Sequence, residues 1–388
     1  MTELDGPRRP APEAVERTET VDITTRPRRL RGVPPEHRPP TLAFVESPVQ
    51  LLNVLEWAHS DDASDAAHLT LVVLPPHDPM TRGQLRRMAE LARDEGITVQ
   101  WQEARDGVTA PAKTIGALAG QLRRAQRIVI GDPFSRYVQL LLTLTAARSV
   151  VVVDDGTATM EFIAQLARGE RFVRWHRKGT EEGADPRAAL FAPFARGARR
   201  RLTPGDRRSV EVFSSMPVEA PDGVAVTAND FAWTRRRFGP PRLTRGTDLV
   251  GTSLVETGVV DLERYLEAVT DLARTHGATR YFAHRREDSE KLHRVTRATG
   301  LEIVRPDLPL ELVARRGPIG HTILSFPSTV VHTLPLALAG TPVTVAVCEV
   351  DPEWLTDQAS PRAQGFLSGV TGSARGVRRL PDTGTANA

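Results

Sequence analysis

Short apolar runs alternate with amphipathic segments along the first half of the chain. Residues 150–153 are four consecutive valines, and this pattern predicts a strand that is buried on both faces, as in a parallel sheet. Segments with helical periodicity separate this run from the other apolar runs, which predicts βαβ units and a mostly parallel sheet. The predicted strands are 41–45, 69–74, 98–102, 127–130, 150–153 and, as the last of this half, 210–213.

The alternation stops over residues 217–247, which proline and glycine interrupt, and it resumes at residue 248. The predicted strands of the second half are 249–252, 280–283, 302–304, 322–325 and 343–347. We therefore predict an α/β fold of two facing Rossmann-like domains with an interdomain cleft. The predicted organisation is a disordered tail (1–40), a first domain (41–216), a linker (217–247), a second domain (248–375) and a flexible tail (376–388).

The composition agrees with a globular protein, because 40% of the 388 residues are hydrophobic and 26% are charged. No apolar run is long enough to span a bilayer, and the N-terminus lacks the apolar region of a signal peptide. The single cysteine, Cys348, follows an apolar run and predicts a buried thiol. These features predict a cytoplasmic protein. The net charge of +3 gives no general case for nucleic-acid binding.

Basic residues are concentrated in two places. The segment 1–40 contains eight prolines and eight arginines and no aromatic residue, which predicts disorder. The block 168–208 includes an arginine cluster at 196–201. Such a block is either a solvated face or a patch that contacts an anionic membrane surface or an acidic acceptor. Peripheral contact with the inner face of a membrane is therefore a hypothesis, and the sequence predicts no oligomeric state.

Two adjacent acids and a glycine follow the four valines directly: Asp154, Asp155 and Gly156. Ligands of open α/β sheets bind at the carboxyl ends of the strands, so these acids lie where a reaction would take place. A single acid here is explained by capping of the next helix. Two adjacent acids raise a carboxyl pKa by mutual repulsion, which favours a general base.

A second group of polar residues follows two strands of the second half. His284 lies just after a predicted strand, and it would donate a hydrogen bond or supply positive charge to a phosphate. Ser325, Ser328 and Thr329 surround the start of an apolar helix, where hydroxyls and free N–H groups bind phosphate. The plainer interpretations are a surface histidine in a charged turn and ordinary helix capping.

Several common functional motifs are absent from the sequence. It contains no G-x-G-x-x-G after the first strand, no G-x-x-x-x-G-K-[ST] and no H-E-x-x-H pair. A G-x-S-x-G motif is also absent, and one cysteine does not provide a cysteine-based zinc site. Dinucleotide-dependent hydride transfer, P-loop ATP hydrolysis and zinc-dependent hydrolysis are therefore disfavoured.

Five short motifs together resemble the bacterial sialyltransferases and polysialyltransferases of the GT-B type. They are E-S-P-x-Q-L-L-N at 46–53, D-D-G at 154–156, G-x-S-L-V-E at 251–256, Y-F-A-H-R-R-E at 281–287 and S-x-x-S-T at 325–329. The family carries an acidic pair with glycine, a histidine-proline motif and a serine-rich motif in this order. The resemblance covers residues 41 to 350. One position departs from it, because Arg285 stands where the family commonly has proline.

The resemblance implies transfer of a sialic-acid-type sugar from a CMP-activated donor to a glycan hydroxyl, with inversion. A nucleoside monophosphate is already a good leaving group, so we expect no requirement for a metal or another cofactor. Asp154 or Asp155 would act as the base, and His284 would offset the charge that develops on the departing phosphate. The implied donor-binding residues are Gly156, Arg285, Ser325, Ser328 and Thr329. Two alternatives remain open: an enzyme of the same fold that uses another nucleotide-sugar, including an epimerase, and a non-catalytic scaffold that binds a sugar nucleotide.

Overall fold

Two parallel β-sheets, each flanked by helices, make up the protein. The computed structural model describes residues 40–60, 68–107, 109–172, 186–357 and 359–380, all within one compact unit. Most of the predicted tail 1–40, residues 173–185 of the basic block and residues 381–388 lie outside the described residues. The predicted fold class, two facing Rossmann-like domains with a cleft between them as in the GT-B architecture, is confirmed.

The first sheet has seven strands: β1 (Thr41–Val45), β2 (Leu69–Val73), β3 (Thr98–Trp101), β4 (Arg127–Ile130), β5 (Ser149–Val153), β6 (Ser209–Ser214) and β7 (Val224–Ala228). They are parallel and lie in the order β3-β2-β1-β4-β5-β6-β7. The helices of this half are α1 (Pro48–Ala58), α2 (Pro79–Asp94), α3 (Ala110–Arg124), α4 (Arg136–Leu144), α5 (Thr157–Ala167), α6 (Pro186–Leu202) and α7 (Ala232–Phe238). The four valines form the buried part of β5, as predicted.

The second sheet has six parallel strands: β8 (Leu243–Val250), β9 (Ala278–Phe282), β10 (Glu302–Val304), β11 (Ile319–Ser325), β12 (Thr344–Cys348) and β13 (Val377–Leu380). Their order is β10-β9-β8-β11-β12-β13, which reverses between β8 and β11. Ligands of such sheets bind where the strand order reverses. The helices are α8 (Leu262–His276), α9 (Ser289–Thr299), α10 (Leu310–Arg316), α11 (Val330–Ala337) and α12 (Pro361–Ser373).

The boundaries of both sheets differ from the predicted ones. Residues 217–247 are more than a linker, because they contain β7, α7 and the beginning of β8. β7 pairs with β6 as the edge strand of the first sheet, and its short, half-exposed sequence carries no strong strand pattern. The second sheet continues past residue 375, because β13 pairs with β12 within the predicted tail.

Three helices connect the two sheets and position the cleft. Leu308, Leu312 and Ala337 pack into a hydrophobic cluster with residues of the first sheet, although they follow strands of the second. Arg235 of α7 donates a hydrogen bond to the Leu336 carbonyl in α11 over 3.0 Å. The domains are thus packed together through α7, α10 and α11. No helix in the described ranges is both long and apolar enough to cross a membrane.

Candidate active site

A cleft of about 330 Å³ lies between the carboxyl ends of the two sheets. Its lining comes from the loops after β5, β6, β8, β9, β10 and β11, from α1 and α2, and from the start of α10. The predicted residues that line this interdomain cleft are Asp154, Asp155, Gly156, His284, Arg285, Ser328 and Thr329. Residues from distant parts of the sequence therefore meet at one site.

Asp154 is the most buried acid of the cleft, with 2% of its surface exposed. The pairing of Val153 with Phe213 places it beside Ser214 at the end of the neighbouring strand. Its Oδ2 atom accepts hydrogen bonds from Ser214 Oγ over 3.0 Å, from the Ser215 amide over 3.0 Å and from Ser215 Oγ over 2.9 Å. The Oδ1 atom is buried and accepts no hydrogen bond from the described residues.

Burial raises the pKa of Asp154 above its ordinary value, and hydrogen bonds from neighbouring hydroxyls and the Ser215 amide oppose this rise. The sequence correctly predicted that a carboxyl pKa is raised here. The cause is different, because burial raises the pKa of Asp154 and repulsion from the adjacent Asp155 is not among the principal causes. A carboxylate that is held in place through Oδ2, and whose pKa is raised, suits a general base.

The last residue of the motif at 46–53, Asn53, holds the backbone of the acidic pair in place. Asn53 of α1 donates a hydrogen bond from Nδ2 to the Asp154 carbonyl over 2.8 Å, and its Oδ1 accepts one from Asn229 over 2.9 Å. Asn53 is thus a positioning residue for the acidic pair. Sequence reasoning gave no role to Ser214 and Ser215, although two serines at the end of a predicted strand were a usable signal.

Gly156 is required by backbone conformation and by a close approach across the cleft. Its φ is 65° and its ψ is −124°, a conformation that side-chain-bearing residues rarely adopt. A Cβ atom here would lie 2.8 Å from Cγ2 of Thr329 on the other domain. The glycine of the D-D-G motif therefore lets the two domains meet. Asp155 lines the cleft and is half-buried.

His284 is held as a neutral imidazole with a defined tautomer. The Arg286 amide donates a hydrogen bond to Nδ1 over 3.2 Å, so the proton of the neutral ring is on Nε2. Burial lowers the pKa of His284 to about 4, with further lowering by the charges of Arg285, Arg286 and Lys291. At neutral pH the ring is therefore a hydrogen-bond donor and not a cation.

A buried network fixes the turn that carries His284. Glu287 accepts the His284 amide at Oε2 over 2.6 Å, and its Oε1 receives the Tyr281 hydroxyl over 2.5 Å and Lys291 Nζ over 2.8 Å. Lys291 also donates to the Thr252 carbonyl over 2.7 Å in the loop after β8. A Cβ on Gly251 would collide with the Glu287 carboxylate, which explains that glycine. This network was not predicted.

The serine-rich motif separates into a lining part and a buried part. Ser328 and Thr329 line the cleft at the start of α11, where the amides of Val331 and His332 already donate to the Ser328 and Thr329 carbonyls over 3.2 and 3.0 Å. Ser325 is 2% exposed, and its hydroxyl donates to the Phe326 carbonyl over 3.0 Å. Ser325 does not line the cleft, because it is the last, inward-facing residue of β11.

Two further titratable residues lie near Asp154, and sequence reasoning missed both. Glu311 lines the cleft at the start of α10 and accepts the Thr333 hydroxyl over 2.5 Å. Burial raises its pKa, and the negative charge of Asp154 raises it further. His332 is buried on α11, and burial lowers its pKa while Asp154 opposes this. Glu311 lies on α10, which was not predicted, and His332 lies within the predicted apolar helix, outside the motif at its start. In the described part of the chain no group of three or more His, Cys, Asp or Glu residues is placed to hold a metal ion.

Comparison with known proteins gives structural matches only. The chain is similar to the α/β-galactoside α-2,3-sialyltransferase of Photobacterium phosphoreum, with 9% sequence identity and a TM-score of 0.45, over 87% of this chain and 98% of that one. It is also similar to the 2,6-sialyltransferase of Photobacterium sp. JT-ISH-224 in a complex with CMP and lactose, with 10% identity and a TM-score of 0.44, over 88% and 78% of the two chains. A third match is Anabaena HepE in complex with UDP and glucose, with 11% identity and a TM-score of 0.44, over 87% and 92%. No protein-family model and no curated protein matches the chain. All three TM-scores are below 0.5, so these matches do not identify a reaction.

Proposed function

We propose that the protein is an inverting glycosyltransferase that moves a sialic-acid-type sugar from a CMP-activated donor to a glycan hydroxyl. The observation that carries this proposal is the pairing of two complementary groups in one cleft. The first domain provides Asp154, which lines the cleft and has a raised pKa. The second domain provides the neutral donor His284 and the hydroxyls of Ser328 and Thr329.

In the proposed reaction, the Asp154 carboxylate accepts the proton of the acceptor hydroxyl while the hydroxyl oxygen attacks the anomeric carbon. The bond between that carbon and the phosphate oxygen breaks, and CMP leaves on the opposite side. Asp155 stabilises positive charge on the sugar in the transition state, as carboxylates do in other glycosyl reactions. The raised pKa of Asp154 makes its carboxylate a stronger base.

The second domain stabilises the leaving group. Nε2–H of His284 donates a hydrogen bond to the phosphate, whose negative charge grows as the glycosidic bond breaks. The hydroxyls of Ser328 and Thr329 hold the same phosphate. A nucleoside monophosphate leaves readily with this support, so we propose that the reaction needs no divalent metal.

Calorimetric binding of CMP, UMP, UDP and GDP, with EDTA present, tests the donor class. We expect CMP to bind most tightly and His284→Asn to weaken it about tenfold, which is one hydrogen bond to a charged group. His293→Asn is the matched control, because His293 is exposed on α9. Preference for UDP or GDP would indicate another nucleotide-sugar, and absence of nucleotide binding would favour a scaffold.

Turnover separates an enzyme from a binding protein. Asp154→Asn should abolish CMP release from CMP-sialic acid in the presence of glycan acceptors and leave CMP binding within about threefold. Asp271→Asn, a substitution on α8 outside the cleft, should leave both unchanged. Full turnover by the Asp154 variant would contradict its role as the base.

The basic block of the first domain suits contact with an anionic surface. Arg196 and Arg200 are exposed on α6, and Phe194 beside them is 37% exposed. We propose that this helix contacts an anionic membrane surface at which a lipid-linked acceptor is presented. Flotation with phosphatidylglycerol vesicles should fall when both arginines are replaced by glutamine; unchanged flotation would contradict the contact.

A further inference from the structure

Arg285 is half-buried and, unlike Arg105 and Arg280, has no direct partner among the residues that the structure describes. Arg105 pairs with Glu46 over 2.5 Å, and Arg280 pairs with Asp248 over 2.7 Å. Arg285 lines the interdomain cleft, and its guanidinium forms no hydrogen bond or ion pair with any residue that the structure describes. Five N–H donors are therefore available at the cleft surface.

The charges around Arg285 indicate where the guanidinium lies. Asp155 and Asp78, both on the first domain, act on it electrostatically from the opposite side of the cleft. The Asp78 carboxylate already accepts the Thr81 amide over 2.7 Å as the cap of α2. Arg285 thus extends from the loop after β9 towards the acids of the first domain, while its neighbour His284 serves the phosphate.

A ligand that fills the cleft would remove the remaining water from this guanidinium. Burial of a charge without a partner is strongly unfavourable, so a neutral ligand would bind poorly beside Arg285. A ligand that brings its own anion would instead pair with the planar fork of N–H groups. The site therefore selects for negative charge next to the acidic pair.

The position of Arg285 in the cleft indicates which anionic group of the donor it binds. The phosphate already has His284, Ser328 and Thr329, whereas Arg285 lies towards Asp155, where the reacting carbon must be. In a nonulosonic acid the carboxylate is bonded directly to the anomeric carbon. We propose that Arg285 binds the anomeric carboxylate of the donor sugar and so selects acidic sugars over neutral ones. This inference rests on the proposed function.

Calorimetry with three ligands tests the inference: CMP, the unreactive donor analogue CMP-3-fluoro-sialic acid, and the C1 methyl ester of that analogue. The wild-type protein should bind the acid about 100-fold more tightly than the ester, as expected for a charge-assisted pair. Arg285→Gln should lose most of this preference and leave CMP affinity within about threefold. Arg285→Lys should retain part of it, and Arg297→Gln, on the exposed face of α9, should change nothing.

Two outcomes would overturn the inference alone. Unchanged preference for the acid in Arg285→Gln would show that another group binds the carboxylate, and an equal loss of CMP and analogue affinity would assign Arg285 to the phosphate. Normal CMP binding by the variant also shows that it is folded. Failure of the wild-type protein to bind CMP or the analogue would instead overturn the proposed function together with this inference.

Discussion

Replacement of Gly156 by alanine should open the interface between the domains, for two separable reasons. The backbone at φ 65° and ψ −124° disfavours any residue with a Cβ atom. The new Cβ would also lie 2.8 Å from Thr329 Cγ2, while the Cβ and Oγ1 atoms of Thr329 would be at 3.5 Å, an ordinary contact distance. Thr329→Ser removes Cγ2 alone and keeps the hydroxyl that lines the cleft.

The two causes differ in their physical origin and in their response to the second substitution. An unfavourable backbone conformation costs about 1–3 kcal/mol, and overpacking by one methyl group costs a similar amount, about 1–3 kcal/mol. Gly156→Ala should therefore lower the free energy of unfolding by about 3 kcal/mol or more. Combination with Thr329→Ser should restore about 1–2 kcal/mol, because only the overlap is relieved.

Urea unfolding of the four proteins in this double-mutant cycle measures the coupling. Gly239→Ala is the matched control, because Gly239 has φ 62° and no atom lies within 4 Å of the place where its Cβ would be, so it reports the backbone cost alone. A coupling below about 0.3 kcal/mol would refute the reasoning, since it would mean that Gly156 and Thr329 are not in contact in solution.

Three further predictions concern the groups around the site. Ser215→Ala removes the hydroxyl that stabilises the Asp154 carboxylate, so the acidic limb of the kcat/KM profile should move to higher pH, with about a tenfold loss on that limb. Glu287→Gln leaves Lys291 buried without its main counter-charge and should lower the free energy of unfolding by about 3 kcal/mol in urea, with weaker CMP binding. The pKa of His284 is lowered from 6.5 to about 4, so protonation of this ring favours the unfolded chain. The contribution of His284 to the free energy of unfolding is therefore complete above pH 6.5, and about 3 kcal/mol of it is lost as the pH decreases to 4. His284→Asn should make thermal stability less dependent on pH over this range.

Each of these predictions has a matched control and a contradicting result. Ser209→Ala is the control for Ser215→Ala, because Ser209 is at the exposed start of β6, the strand that ends beside Asp154. An equal shift of the kcat/KM profile in both variants would contradict the hydrogen bond from Ser215 to Asp154. Glu290 is exposed on α9, so Glu290→Gln should leave the free energy of unfolding unchanged. The double variant Glu287→Gln with Lys291→Met should recover stability. If it does not, the unpaired Lys291 charge is not the cause of the loss. A pH dependence in His284→Asn equal to that of the wild-type protein would exclude His284 as its source.

The sequence predicted the sheets well where burial is continuous. The valines of β5 and the acids after them could be placed because a strand buried on both faces has an unmistakable pattern. The half-exposed β7 and the short α10 could not, since an edge strand and a seven-residue helix carry weak periodicity. The same holds for the site. Asp154 and His284 could be predicted because they follow recognisable strands, whereas Glu311 could not, because only packing between the domains brings it to the cleft.

Helix α11 has a consequence for how the protein unfolds. Its Leu334 packs with residues of the second sheet, and its Ala337 packs with the core of the first. Loss of either core therefore removes contacts from the other, so the two sheets should melt as one cooperative unit in a single transition, in spite of their separate topologies. Any ligand held at the start of this helix would then raise the melting temperature of the whole unit and not of one half.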